Sequence, residues 1–370
     1  MKLTLFVNHA CNLRCTYCYT GRKFQRVMPL SIAKRAIDLG LAEATLPAMQ
    51  LAFFGGEPML EPELMDAAVR YAREKAAERG ARIIPTVATN GTLLGTKRLA
   101  LLKEHGFGVQ VSVDGGQLAQ DATRRFRNGH SSFARVAKNL KELLAAGFAV
   151  RVVAVVDPQN AEHLADSFDR LYELGVRHLQ FSPNYNGAWD DAACERLERA
   201  LGELGDRYIT RFRAGENTRL DPLSGKIVTH LTKGYEQRFV CKFGQQELAV
   251  APTGRIYPCD RLVAEDDDDA ICLGDLDRGI DEEKRRALVA RKNAPDAECE
   301  ACELRKRCMH WCGCANYETT GDVGGTSPIV CYFERAFIAE ADRIANALYE
   351  EGNPTFIKRF YGAQLSKPTS

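Results

Sequence analysis

The chain has 370 residues, and its 50 Lys and Arg stand against 49 Asp and Glu, a net charge of +1. Such a balance offers no case for a nucleic-acid or membrane partner. At 45% hydrophobic and 27% charged, the chain reads as a globular protein with length for roughly two domains.

The opening residues, MKLTLFVNHACNLRC, hold a short apolar run and then cysteines. A signal peptide needs a longer apolar stretch and a cleavage site, and a membrane span needs about 20 apolar residues. Neither is present, which predicts a cytoplasmic protein. From there to about residue 182, apolar strand-like runs alternate with amphipathic helical stretches. The predicted strands are 3–7, 50–54, 83–89, 108–113, 150–156 and 178–181. Several intervening helices end at a glycine (Gly80, Gly106, Gly147, Gly175), the residue that best accepts the left-handed terminating conformation. Strands alternating with helices predict a parallel sheet with crossover helices; six units suit a partial (β/α)6 barrel, with an open doubly wound sheet as the alternative that periodicity does not separate from it.

Residues 186–235 read as a mostly helical bridging segment, with an apolar stripe of Leu197, Leu201, Leu204 and Tyr208. The composition then shifts. The segment 236–335 is rich in Cys, Gly and Pro and poor in long periodic elements, so something other than a large apolar core must hold it. A last helix is predicted over 333–348, and 336–370 form the C-terminal helix and tail. The acidic run 265–269 reads as a solvated loop.

The 13 cysteines are clustered, three between residues 11 and 18 and nine between 241 and 331. In a reducing compartment that clustering indicates metal ligation better than disulfides. Cys11-x3-Cys15-x2-Cys18 offers three thiolates just past the first strand, enough to hold three irons of a [4Fe–4S] cube and leave the fourth open. Zinc is the alternative, but it prefers paired cysteines or Cys/His fours.

These residues, with Tyr17 before the last cysteine, resemble the signature of the radical S-adenosylmethionine (SAM) superfamily. The resemblance implies that the open iron binds SAM and that one electron cleaves it to methionine and a 5′-deoxyadenosyl radical. Supporting elements follow in order at strand ends. Gly55-Gly56-Glu57-Pro58 resembles the family element that meets the SAM amino group, where glycines permit close approach and a carboxylate pairs with an ammonium. Asn90 and Ser112 are expected near the ribose and Arg124 at the SAM carboxylate. Gln120 departs from the family, which often has His there.

The second field, Cys241-x12-Gly254-x4-Cys259 and then Cys299-x2-Cys302-x5-Cys308-x3-Cys312 with Cys331 eighteen residues on, resembles the seven-cysteine SPASM pattern. That pattern is named for maturases of subtilosin, pyrroloquinoline quinone, anaerobic sulfatases and mycofactocin. The fold implied is α/β, a partial (β/α)6 TIM-like radical SAM core (1–185) with a C-terminal cysteine-rich SPASM iron–sulfur domain. By the same resemblance Cys299, Cys302, Cys308 and Cys331 hold one auxiliary [4Fe–4S] cluster, and Cys241, Cys259 and Cys312 the other. Its fourth iron is read as open, with Cys272 and Cys314 as the spare alternatives; Cys194 lies outside the field. Zinc is again the alternative for these sites.

The resemblance implies a peptide-modifying maturase that abstracts a hydrogen from a residue of a ribosomally made peptide and forms a cross-link or oxidised product. The first core strand lies close to residue 1, so a peptide substrate is expected either to need a separate leader-peptide-binding protein or to bind the core and SPASM surfaces directly. An electron donor such as flavodoxin or ferredoxin is also expected. The second reading is an anaerobic sulfatase-maturating enzyme, converting Cys or Ser to formylglycine. Cys259-Asp260 fits it, and the lack of an extra cysteine soon after Cys241 argues against it. A small-molecule substrate and a non-catalytic iron–sulfur carrier rank lower, since a carrier needs no open three-cysteine site. Asp260 is the candidate catalytic base, with a turn-capping aspartate as its structural alternative.

Overall fold

Runs such as Val150-Arg-Val-Val-Ala-Val-Val156, β-branched at nearly every position, are built for a pleated ladder with one face fully covered. In the computed structural model, which describes residues 1–45, 47–294 and 296–362, all six predicted strands form. They are β1 (Lys2–Asn8), β2 (Ala48–Gly55), β3 (Arg82–Thr89), β4 (Gly108–Ser112), β5 (Val150–Val156) and β6 (His178–Pro183). Between them run α1 (Leu30–Glu43), α2 (Pro62–Ala77), α3 (Thr96–Glu104), α4 (Gln117–Thr123), α5 (Phe133–Ala145) and α6 (Leu164–Glu173). Gly80, Gly106, Gly147 and Gly175 take left-handed φ values of 60° to 100° at the helix ends, as the sequence requires.

The bridging segment is α7 (Asp191–Arg213) and α8 (Leu223–Leu231), but a three-residue strand, β7 (Arg219–Asp221), lies between them and pairs parallel with β6. The cysteine-rich segment adds β8 (Glu247–Val250), parallel to β1, and then β9 (Arg255–Tyr257), β10 (Gly274–Asp275) and β11 (Gly279–Ile280) in antiparallel succession. Among the described residues the sheet therefore runs β11-β10-β9-β8-β1-β2-β3-β4-β5-β6-β7. Its eight central strands are parallel, two more than the six predicted. No pairing joins β7 to β8 among those residues, so the barrel stays open.

Alternation along each strand separates two faces. Leu3, Leu5, Met49, Leu51, Val109, Val152 and Leu179 are buried under Ile37, Met65, Leu140 and Phe168 of the outer helices. Gln50, Thr86, Gln110, Arg151 and Gln180 take the intervening positions and line the inner face. There Gln50 Nε2 donates to Thr86 Oγ1 at 3.1 Å, and Arg151 to Gln110.

The remaining helices are α9 (Glu282–Lys292), α10 (Ala297–Ala301), α11 (Gly313–Thr320), α12 (Pro328–Glu350) and α13 (Pro354–Phe360). The last lies where an irregular tail was expected; the end of that tail, 363–370, is outside the described residues. Among the described residues no helix is long and apolar enough to cross a membrane.

One buried ion pair ties the cysteine-rich segment to the helices. Lys226 Nζ of α8 lies 2.5 Å from Glu334 Oε2 of α12, with both side chains almost fully buried. Lys226 also donates to Arg307 O at 2.8 Å and Tyr235 Oη at 3.1 Å, while Glu334 accepts from Met309 N at 2.7 Å. Lys226→Met should destabilise the protein by about 3–5 kcal/mol, because it strands a buried carboxylate. Chemical denaturation checks this, and Lys226→Met/Glu334→Leu should recover most of the loss.

Candidate active site

The C-terminal ends of parallel strands converge on one edge, where α/β folds place their chemistry. There β1 gives way to the loop carrying Cys11, a short strand (Leu13–Cys15) and then Cys18. That strand pairs antiparallel with Arg124–Phe126, setting Cys15 opposite Arg124. Cys11 is buried, and Cys15 and Cys18 are half-buried. Lys23 Nζ lies 3.1 Å from Cys18 Sγ, and Asn90 Nδ2 3.7 Å from Cys11 Sγ. Burial pushes the Cys15 thiol up to about 12, against the pull of Arg124, and raises that of Cys11. For Cys18 the Lys23 ammonium and hydrogen bonds from Thr20 and Lys23 outweigh burial and lower it.

Gly55 and Gly56 hold the loop from β2. Gly56 N donates to Asn8 O at 2.9 Å and Glu57 N to Ala10 O at 2.8 Å. Glu57 is fully buried and its carboxylate accepts from Met59 N (2.9 Å), Thr89 Oγ1 (2.7 Å) and Asn90 N (2.7 Å). Here it clamps the ends of β2 and β3 together. Asn90 in turn donates to Asn12 Oδ1 at 2.8 Å and accepts from Thr92 Oγ1 at 2.7 Å. Ser112 closes β4 on the inner face, half-buried.

Arg124 is buried and donates to Tyr17 Oη at 2.7 Å, and Tyr17 Oη lies 2.7 Å and 2.9 Å from the Asp114 oxygens. Asp114 also accepts from Thr123 Oγ1 at 2.6 Å and Val155 N at 3.0 Å. Gln120 is fully buried, accepts from Asp114 N at 2.8 Å and donates to Ser132 Oγ at 2.9 Å. Asn12, Thr92 and Asp114 thus join the site unannounced by the sequence reading, though Asp114 lies two residues past Ser112 and Asn12 inside the first cysteine motif. Arg124 Nε is buried without a hydrogen-bond partner among the described residues. An orphaned guanidinium donor beside three thiols fits an anionic ligand carboxylate, and the thiols themselves fit an iron–sulfur cluster.

In the second field Cys241, Cys259, Cys312 and Cys314 pack in one small core. Cys312 Sγ and Cys314 Sγ are 3.6 Å apart, and the neighbouring Cys259 and Cys312 thiols raise the Cys314 thiol well above its ordinary range. That contact from Cys314, the largest influence on it, pulls Cys312 below the usual thiol range. Cys241 feels Cys259 and Cys312 electrostatically and lies 3.5 Å from Glu247 Oε2. Cys272 instead turns its thiol to Gly274 O at 3.2 Å. Cys331, in the first turns of α12, receives Arg335 Nε at 3.3 Å, and the same guanidinium feels Cys302 and Cys308. Cys299 and Cys302 are joined by a turn hydrogen bond at 3.3 Å. Cys194 sits apart on α7.

Asp260 caps no turn. Its Oδ2 accepts from Lys2 Nζ at 3.0 Å and Thr4 Oγ1 at 3.2 Å, both on the inner face of β1. Burial opposes ionisation, but Lys2 and these hydrogen bonds outweigh it and hold the carboxyl below its ordinary range. The next residue links the two cysteine fields: the Arg261 guanidinium lies 4.8 Å over the Tyr19 ring, beside Cys18 in the chain, and pairs with Glu318. A cavity of about 450 Å³ opens between the inner face, at Gln180 and Ser182, and the cysteine-rich loop, at Met309 and Trp311.

Residues 5–171 match the family model described as the Radical SAM superfamily. The chain is 25% identical over 324 residues to a serine-type anaerobic sulfatase-maturating enzyme of Klebsiella aerogenes, covering 83% of this chain and 78% of that one. It is 24% identical over 346 residues to the PqqA peptide cyclase of Gluconobacter oxydans, covering 89% and 90%. Its fold superposes on native anSMEcpe with bound AdoMet and Kp18Cys peptide at a TM-score of 0.78 and 21% identity, over 95% of this chain and all of that one. The chain is therefore an enzyme whose residues 5–171 form a radical SAM domain, the domain that uses a [4Fe–4S] cluster and S-adenosylmethionine.

Proposed function

We propose that this enzyme modifies a residue of a ribosomally made peptide, forming a cross-link or an oxidised product. The observation that carries the reading is the cavity of about 450 Å³ between the barrel's inner face, at Gln180 and Ser182, and Met309 and Trp311 of the loop between Cys308 and Cys312, which has room for a peptide side chain beside the second cysteine field. Similarity to the PqqA peptide cyclase along nearly the whole chain supports it. When loaded, the first cluster and SAM supply a carbon radical that abstracts a hydrogen atom. Cys11, Cys15 and Cys18 hold that cluster, while Tyr17, Gly55, Gly56, Glu57, Asn90, Ser112 and Arg124 shape the SAM pocket. Arg124 meets the SAM carboxylate, and Glu57 acts by fixing the backbone that faces the amino group. Peptide delivery by a separate leader-binding protein belongs to the same proposal.

The sulfatase-maturating reading rests on similarity over 324 residues to an enzyme of that name. Mass spectrometry separates the two. Enzyme, SAM and dithionite are incubated either with a sulfatase-derived Cys or Ser peptide or with precursor peptides encoded beside the gene. Product from precursor peptides alone, lighter by two hydrogens, supports the leading reading; formylglycine in the sulfatase peptide overturns it.

For the auxiliary sites, Cys299, Cys302, Cys308 and Cys331 are assigned to one cluster and Cys241, Cys259 and Cys312 to the other. The contacts of Cys314 with Cys259 and Cys312 favour Cys314 as the fourth ligand, in place of the open iron the sequence pattern suggests. Cys314→Ala should lose up to about four of some twelve irons or change the cluster's electron paramagnetic resonance signal, whereas Cys272→Ala should keep both. An unchanged Cys314→Ala spectrum and iron content would restore the open site.

Product formation requires a proton to leave as well as an electron. Asp260 Oδ2 is taken by Lys2 and Thr4, and Oδ1, which lies 3.7 Å from the Cys259 sulfur, is the oxygen that would receive it. Asp260→Asn should keep all clusters and SAM cleavage while modified peptide falls by about 10²-fold or more. Mass spectrometry of the peptide, with 5′-deoxyadenosine measured in parallel, checks this; unchanged product would return Asp260 to a structural role.

A further inference from the structure

The near-zero net charge conceals a local excess of cations on the outer side of the first cysteine loop. Residues 123–127 run against 12–16: Thr16 N donates to Thr123 O at 2.9 Å, Leu13 pairs with Phe126 and Cys15 with Arg124. Within this two-stranded strap Arg14 stands directly opposite Arg125, and both are exposed. Like charges placed opposite each other across a strand pair destabilise it, so the local structure gains nothing from this choice. Arg127, Arg135, Lys138 and Lys141 extend the patch along the loop and α5, all exposed. Lys138 approaches Glu142 at 3.9 Å. Arg14, Arg125, Arg127, Arg135 and Lys141 have no carboxylate partner among the described residues. Arg125 turns its guanidinium to the carbonyls of Asp121 and Gly129, and Arg135 lies 5.6 Å over the Phe126 ring. A groove of about 840 Å³ runs through the patch, with Leu94 and Phe126 among apolar residues lining it and Arg135 and Lys138 on its rim.

We infer that this face docks an acidic one-electron carrier protein, which passes an electron to the cluster held by Cys11, Cys15 and Cys18. The inference rests on the radical SAM reading of that loop and is independent of which peptide is modified. Two observations select this partner. The cations sit on the strap whose other side carries Cys15, so a carrier seated there is separated from that thiol by one backbone layer. A groove with Leu94, Phe126 and Ala134 among its polar lining residues, rimmed by Arg135 and Lys138, also complements a carboxylate-ringed contact surface, the arrangement that steers association and fixes orientation. The transfer is balanced without further reagents: the carrier is oxidised by one electron, the cluster is reduced by one, and no bond or proton moves.

The test compares two reductants on the reconstituted holoenzyme, small dithionite and the acidic protein flavodoxin in its reduced form. In Arg14→Glu/Arg125→Glu, dithionite-driven production of 5′-deoxyadenosine should match the wild type. Flavodoxin-driven production at limiting carrier should fall about tenfold or more, and its steep decline with added salt should flatten. Calorimetry should show flavodoxin affinity weakened to the same degree, a readout free of turnover. If the reversed pair disturbs the loop and lowers the dithionite rate too, Arg127→Gln/Arg135→Gln, away from the strap's centre, should reproduce a milder loss confined to flavodoxin. Wild-type flavodoxin affinity in both variants would overturn the inference. So would tight binding of RNA to the wild type, lost in the variants, with flavodoxin unaffected. Failure of SAM cleavage in the wild type with dithionite would instead bring down the radical SAM reading.

Discussion

The backbone of Gly55 and Gly56 lies so close to the cysteine loop that a β-carbon would sit 2.4 Å from Asn8 O at the first position and 2.1 Å from Ala10 O at the second. No side chain fits there, and the clash would be with backbone that cannot swing aside. This contact fixes where Cys11 stands relative to the sheet. From it follow the hydrogen bonds from Gly56 and Glu57 to the loop, the seating of the Glu57 carboxylate between β2 and β3, and the placement of Asn90 against both Asn12 and Cys11. The site is an edge of the sheet held shut by one carboxylate, and every strand end near it is positioned through that carboxylate or the loop it supports.

Much of this was legible in the sequence because the signals were local. Six strands announced themselves by apolar or alternating runs of four to seven residues, and four of the helices by glycines at their ends. The short strands escaped: β7 has three residues, Arg-Leu-Asp, followed by proline, and carries no periodicity. β8 reads Glu-Leu-Ala-Val within a segment whose Cys, Gly and Pro content hides it, and its parallel partner β1 lies about 245 residues away in sequence (Lys2 to Glu247). Spacing singled out ten cysteines for clusters but could not choose between Cys272 and Cys314. That choice is tertiary: Cys314 opens α11 facing Cys259 and Cys312, whereas Cys272 finds a carbonyl two residues on.

The pairing of β8 with β1 gives the cysteine-rich segment its mechanical role. It continues the sheet of the core, so Cys259 and Asp260 are presented to β1 at fixed register, with Thr4 and Lys2 beneath the carboxylate. Arg261 then reaches Tyr19 on the first loop and Glu318 on α11, joining three segments through one guanidinium. A pairing of planar cation with ring and carboxylate orients all three parts at once, which a lysine would not do. The cavity lined by Gln180, Ser182, Met309 and Trp311 is likewise shaped by both regions, so its geometry depends on how the cysteine-rich segment is held against the core.

Successive residues of one strand illustrate how a nearly neutral chain concentrates charge. Alternation sends Arg124 inward, buried against Tyr17 and beside Cys15, and Arg125 outward into solvent. The inward arginine loses its hydration and is retained by Tyr17 and by negative charge at Asp114 and the thiols. The outward one keeps its hydration and stands against another arginine. Reversing the register by one residue would exchange the two environments, leaving a cation in water and a repulsive pair in the interior. Register is therefore the quantity the strap must protect, and the hydrogen bonds from Thr16 to Thr123 and from Arg127 to Asn12 pin it at both ends.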